Sequence, residues 1–218
     1  MRGAGVASRA AVALMMVLPI LWILGCGSTL GSLEPRQQKC LECALRRHSD
    51  GETMPDAVAR FTSDCRSGDS ASCSVLGVMH EHGRGVSRDA KRASTLYQQA
   101  CQQGNPAGCV NLGRLLGSGV GGRLDAEGAA LIFEVACHDG VTEGCYQLAQ
   151  LRYRSGNVSA ARTALAQACA LGHADGCLGL GALYQRGHGV KQDPARAATL
   201  YRKACRQGQP VACDRIAL

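Results

Sequence analysis

The sequence predicts an all-α protein built as a solenoid of stacked helical pairs, and three observations lead there. Similar blocks begin at Cys65, Cys101, Cys137, Cys169 and Cys205, separated by 36, 36, 32 and 36 residues, a period at which self-similarity marks units that lean on one another in series. Within a block, apolar and small residues recur twice at helical spacing. Each block also opens with two cysteines separated by seven residues, as in YQQACQQGNPAGC from Tyr97 to Cys109 and YRKACRQGQPVAC from Tyr201 to Cys213. Only 4% of the 218 residues are aromatic, so the core has to be closed by small side chains that let helices approach closely.

The elements follow in order within a block. A first helix of about three turns carries Cys73, Leu76, Gly77 and His80 on one face, and Cys109, Leu112, Gly113 and Leu116 on the equivalent face of the next block. It ends at a glycine loop, HGRGV with Gly83 and Gly85 or RGHGV with Gly187 and Gly189, and near Gly119 in the second block; glycine can adopt the positive φ that closes a helix. A second helix then starts at Asp89, Asp125, Ser159 or Asp193, all good N-cap residues, with Pro194 at a first helical position. Its predicted buried stripe is Ala90, Ala93, Tyr97 and Ala100, or Pro194, Ala197, Tyr201 and Ala204. The third block is shorter by four residues because its loop, RSGNVSA, is shorter.

The first cysteine of each pair then ends a second helix and the other begins the next first helix. A tight corner of this kind brings the sulfurs within bonding range, which predicts Cys65–Cys73, Cys101–Cys109, Cys137–Cys145, Cys169–Cys177 and Cys205–Cys213. Closing such a loop contributes about 2.6 kcal/mol in the chain-entropy picture, enough for several staples to compensate for a core of small residues. Zinc is the competing use of thirteen cysteines, but its ligand pairs are usually spaced Cys-x2-4-Cys, unlike these.

The N-terminus points out of a reducing compartment. Residues 1–25 read as a signal peptide, with Arg2 and Arg9 ahead of an apolar run from Ala10 to Leu24. Interrupted by Pro19, that run is short for a spanning helix. It ends in WILGCGS, which resembles a bacterial lipoprotein box and implies lipidation of Cys26, although Ile23 and Leu24 depart from the commonest residues there. Residues 26–38 carry that cysteine and a Gly-, Ser- and Pro-containing spacer, and the solenoid is expected from 39 to 218, opening with a degenerate repeat over 39–64 and closing with a truncated one from Cys205. Cys40 and Cys43, outside the ladder, are expected to bond to each other as a Cys-x2-Cys pair or to act as a redox pair. The formal charge of +7 comes without a run of five like charges or a nucleic-acid fold signature, which argues against nucleic-acid binding.

The 36-residue period, Leu76-Gly77 and Leu112-Gly113, Val86 and Val190 after the glycine loops, the Asp-initiated helix, and YxxAC at Tyr97–Cys101 and Tyr201–Cys205 resemble Sel-one-like repeats, relatives of tetratricopeptide repeats. With Cys-x7-Cys in every block, the resemblance extends to the Helicobacter cysteine-rich proteins, which are exported and carry one disulfide per helix pair. It covers about Cys40 to Leu218 and implies a right-handed α/α superhelix whose concave face, lined by first helices, binds peptides or proteins. Exposed positions expected on that face are Asn111, Arg114, Tyr146, Gln150 and Tyr184. The function expected is that of an exported, lipid-anchored, disulfide-stapled scaffold of the bacterial cell envelope, facing the periplasm or cell surface. It would be monomeric, with a protein or peptide partner and no cofactor, metal or nucleic acid.

Two alternatives stay open. One is penicillin binding or hydrolysis, a label attached to the cysteine-rich group, although Ser-x-x-Lys, Lys-Thr-Gly and Gly-x-Ser-x-Gly are absent from the sequence. His80 and His82 in HEHG have a metal-like spacing but no nearby third ligand, and are expected to be surface histidines. The other is an assembly or folding factor that exchanges disulfides through Cys40 and Cys43.

Overall fold

The computed structural model describes residues 53–216, so the apolar N-terminal segment, Cys26, Cys40 and Cys43 lie outside the described residues. Within them the chain forms ten helices and no strand. Second-type helices are α1 (Met54–Arg66), α3 (Ala90–Gln102), α5 (Ala126–His138), α7 (Val158–Ala170) and α9 (Pro194–Arg206); first-type helices are α2 (Ser70–His82), α4 (Pro106–Ser118), α6 (Thr142–Arg154), α8 (Ala174–Arg186) and the short α10 (Pro210–Asp214). No described helix is long and apolar enough to cross a membrane.

One corner recurs between each second helix and the following first helix. Three residues beyond the first cysteine a glycine takes positive φ, 79° at Gly104 and 96° at Gly172, a conformation other residues adopt only at a cost. The next residue turns its N–H back onto the preceding helix, as Asn105 N–H does to the Ala100 carbonyl at 2.9 Å, and then caps the next helix with its side chain. Asp69 accepts from Ala71 and Ser72, Asn105 from Gly108, and Gln209 from Val211. Val141 stands at this position without a side-chain cap. The disulfides Cys65–Cys73, Cys101–Cys109, Cys137–Cys145, Cys169–Cys177 and Cys205–Cys213 close the five corners, with Cα atoms 4.4 to 4.8 Å apart.

Second helices start at Asp89, Asp125 and Asp193, whose carboxylates accept from the third helical residue. In the third unit the cap is Asn157 rather than Ser159: the shortened loop starts the helix two residues sooner, and the Asn157 side chain accepts from Ala160 N–H at 3.0 Å. The buried stripe also begins a turn later than the pattern suggested. Ala93, Tyr97 and Ala100 are buried, as are Ala197, Tyr201 and Ala204, whereas Ala90 is half-buried and Pro194 is exposed.

First helices bury more than one stripe because each sits between two second helices. Along α4 the buried residues are Gly108, Val110, Asn111, Gly113 and Leu115, while Cys109, Leu112 and Leu116 are only half-buried. The glycine of the Leu-Gly pair faces the large residue of the next second helix. A Cβ on Gly77 would lie 2.6 Å from Tyr97, on Gly113 2.7 Å from Phe133, and on Gly181 2.7 Å from Tyr201, all shorter than any real contact. The third unit shows the converse, since Ala149 occupies the glycine position and Leu165 the aromatic one. Ring and Cβ exclude each other, so a flat ring requires glycine opposite it.

Units are also joined along the outer layer. Gln99 donates to the Cys65 carbonyl at 3.3 Å, Gln167 to the Cys137 carbonyl at 3.3 Å, and Lys203 to the Cys169 carbonyl at 2.7 Å. Val135, 55% exposed, breaks this series opposite Cys101. On the inner side α2 touches α4 and α4 touches α6, whereas α6 and α8 approach less closely.

Two stability changes follow from this packing. Gly113→Ala gains about 1 kcal/mol of helix propensity but overpacks against Phe133, for a net loss of about 1–2 kcal/mol. Adding Phe133→Leu should recover part of that loss in a double-mutant cycle read by chemical denaturation. Val135→Gln supplies the missing donor to Cys101 and should raise stability by about 1 kcal/mol, seen as a melting point higher by about 2–4 °C.

Candidate functional site

Where α6 and α8 draw apart, a cleft of about 370 Å³ opens between first helices. Its floor is apolar, made by Ala149, Leu165, Leu178, Gly179, Ala182 and Leu183. Tyr146 and Gln150 line it from α6, and Arg154, Arg186 and Arg215 stand around it. The last turn of α6 carries Tyr153, whose hydroxyl lies 3.2 Å from His188 Nδ1 in the loop after α8, with the two rings edge to face. Arg154 and Gln150 also line a second, smaller recess of about 200 Å³ between α4 and α6, so the two hollows form one run along the first-helix side.

A buried polar pair supports one wall. His173 is the corner residue ahead of α8 and is fully buried. Its Nδ1 accepts from Gly176 N–H at 3.2 Å and thereby caps α8. The proton must then sit on Nε2, which lies 3.1 Å from the carboxylate of buried Glu143. Glu143 also accepts from Gln147 at 2.7 Å. Tyr146 stacks on the imidazole with centroids 4.4 Å apart, so its ring orientation is set from beneath. Burial, the largest effect on its hydroxyl, pushes the Tyr146 pKa above the usual phenol value, and the group stays a neutral donor.

A second network ties α2 to α3 and α4. The Tyr97 hydroxyl donates to Glu81 at 2.8 Å, and Arg114 reaches both Glu81 oxygens at 2.5 and 2.6 Å. Burial alone would raise the Glu81 pKa, but the Arg114 hydrogen bond and charge, together with the Tyr97 hydroxyl, outweigh it and hold the carboxyl below its ordinary value. Burial and then the Glu81 charge push the Tyr97 hydroxyl far above the usual phenol range. At the same register in the fourth unit, Gln185 replaces Glu81: Tyr201 donates to it at 2.7 Å and accepts from Arg215 at 3.2 Å. Where the second helix carries Phe133, the same first-helix register holds Gly117, so this ring position carries a hydroxyl only where an acceptor stands at that register.

The five residues expected on an open face are divided by the structure. Tyr146 and Gln150 do line the cleft. Arg114 is committed to Glu81. Asn111 is 2% exposed on α4, and Tyr184 is buried with the Arg196 guanidinium 4.4 Å above its ring, so neither is an exposed face residue. Both were misplaced because a helix with neighbours on several sides has no single solvent stripe. His82 is exposed and His80 half-buried, and among the described residues no three His, Cys, Asp or Glu side chains gather to hold a metal. Arg154, Arg186, Arg215, Glu143 and His173 were not singled out from sequence. The one available signal was that Glu81 and Gln185 share a register opposite the two tyrosines.

The fold is a helical-repeat solenoid, and it is shared with solved structures that are about one-fifth identical in sequence. The Sel1 repeat protein from Oxalobacter formigenes has a TM-score of 0.71 at 22% identity, over 83% of this chain and 76% of that one. The antigen c5321 of uropathogenic Escherichia coli, described as displaying an SLR fold, has a TM-score of 0.68 at 22% identity over 84% of this chain. This chain spans only 40% of the length of c5321. The immunity protein Pa5087 from Pseudomonas aeruginosa has a TM-score of 0.53 at 20% identity, over 84% of this chain and 70% of that one. No curated protein sequence matches the chain. The Sel1 repeat matches residues 70–105 and 174–209, covering α2 with α3 and α8 with α9, so these two stretches are similar to Sel1 repeats.

The Glu81 network has a pH signature. A carboxyl held below its ordinary value of 4.5 in the folded state stabilises fully above that value, and the contribution is lost as pH falls through the folded value. Glu81→Gln keeps an acceptor for Tyr97, as at Gln185, but removes the charge. It should cost about 1–3 kcal/mol at neutral pH and give a shallower loss of stability below pH 4.5, checked by denaturation across acid pH.

Proposed function

We propose that the protein is an exported, lipid-anchored scaffold that binds a protein or peptide partner at the bacterial cell envelope and carries out no chemistry itself. The observation that carries this reading is the cleft between α6 and α8, an open and largely preformed hollow on the first-helix side of a solenoid stapled at every corner. A stacked-repeat surface of this kind suits an extended segment of another chain, and rigid walls reduce the entropy lost on binding. Five disulfides are stable where the surroundings are oxidising, which supports an extracytoplasmic site. The apolar leader and Cys26 in WILGCGS support a lipid tether there. The shared fold of an immunity protein and of a protective antigen is consistent with a role in recognition.

The test is capture from detergent-solubilised envelopes with the oxidised chain as bait, beside bait whose disulfides have been reduced and alkylated. A specific protein retained only by the oxidised chain supports the scaffold reading; nothing specific with either counts against it. In parallel, Cys26→Ser should move the chain from the membrane fraction to the soluble one, and an unchanged distribution removes the lipid anchor.

A further inference from the structure

We propose that the α6–α8 cleft reads an extended acidic peptide segment, one apolar side chain entering the cleft while neighbouring carboxylates engage Arg154, Arg186 and Arg215. This rests on the scaffold reading and gives its partner a chemistry. The first ground is charge. Among the described residues no carboxylate lies within ion-pair distance of these three guanidinium groups. Arg154 donates only to the neutral Gln150 amide at 3.3 Å, and Arg215 to the Tyr201 hydroxyl at 3.2 Å. Arginines elsewhere on the first helices are matched: Arg114 with Glu81 at 2.5 Å and Arg152 with Glu134 at 2.7 Å.

The acid that lines the cleft, Asp175, is already engaged, since its carboxylate accepts from the Gln209 amide. Three guanidinium groups against that one carboxylate leave the hollow with net positive charge. Guanidinium groups suit carboxylates in particular, because their fork of N–H donors matches the two oxygens.

The second ground is the floor. Leu165, Leu178 and Leu183, with the small Gly179 and Ala182 between them, make an apolar basin. A space of about 370 Å³ holds one large side chain and adjoining backbone, not a folded domain. At the wall, the half-buried Tyr146 and Gln150 offer polar groups to a passing peptide backbone. An apolar floor under a cationic rim selects an apolar residue flanked by acids. A nucleic-acid strand would instead call for stacking platforms and a longer basic track, which makes a peptide the better fit.

The test is fluorescence anisotropy on the full oxidised chain with two short fluorescein-labelled peptides, one alternating Leu with Asp and Glu, the other alternating Leu with Lys. The acidic peptide should bind on the order of tenfold or more tightly, with affinity falling as salt rises. Arg154→Glu and Arg186→Glu should each weaken it on the order of tenfold. Arg92→Glu, an exposed residue of α3 with the same change of charge, should leave it unaltered. An acidic peptide with Ser in place of Leu should lose most of its affinity. Circular dichroism of every variant confirms that the helices are intact.

Equal affinity for both peptides, equal loss in Arg92→Glu and Arg186→Glu, or tighter binding of a single-stranded oligonucleotide of matched charge would each overturn the proposal. A partner captured from envelopes whose retention survives Arg154→Glu and Arg186→Glu would also sink it, while leaving the scaffold reading standing. Charge-selective peptide binding without any captured envelope protein would do the reverse.

Discussion

The rest of the structure depends on the corner at which a second helix hands the chain to the next first helix. Positive φ at the third residue beyond the cysteine ends one helix, and the residue after it begins the next by capping with its own side chain. The disulfide spans this same corner. Termination, initiation and covalent closure thus fall within nine residues at each of the five corners. A chain with few large side chains can then stack reliably, because the geometry of contact is set by local residues and a covalent bond at each corner as well as by the core.

Packing between the helices follows a rule of exclusion. Gly77, Gly113 and Gly181 face Tyr97, Phe133 and Tyr201, while Ala149 pairs with the narrower Leu165. Polar satisfaction varies with the ring. Glu81 and Gln185 accept from tyrosine hydroxyls, and in the unit with phenylalanine their register holds Gly117. The units thus vary in matched sets rather than residue by residue, which is how a repeated architecture tolerates a charged network around one ring and an apolar ring without a hydroxyl in the next unit.

The third and fourth units break the pattern on the first-helix side, and the cleft lies there. Tyr153 occupies the register of Glu81, Gly117 and Gln185, reaching His188 instead of a neighbouring second helix. His173 replaces the ordinary Asp or Asn cap and turns its Nε2 to Glu143, and Tyr146 stacks on its ring to form the cleft wall. Local changes in capping and loop length thereby shape a recognition surface without disturbing the stack that holds it.

The sequence by itself determined the period, the helix pairs, the Asp caps and the five cysteine corners, because each is written in residues close together along the chain. The same locality made Tyr146 and Gln150 legible as first-helix surface positions. It failed at Ser159, where a shortened loop moved the cap to Asn157, and at Asn111 and Tyr184, which neighbouring helices bury. Only the tertiary structure decided which charges meet. Arg114 reaches Glu81 across 33 residues and His173 reaches Glu143 across 30, and such distances are set by how one unit rests on the next. The arginines around the cleft that meet no carboxylate among the described residues emerged for the same reason: which charges lie near a guanidinium is read from its neighbours in space, not along the chain.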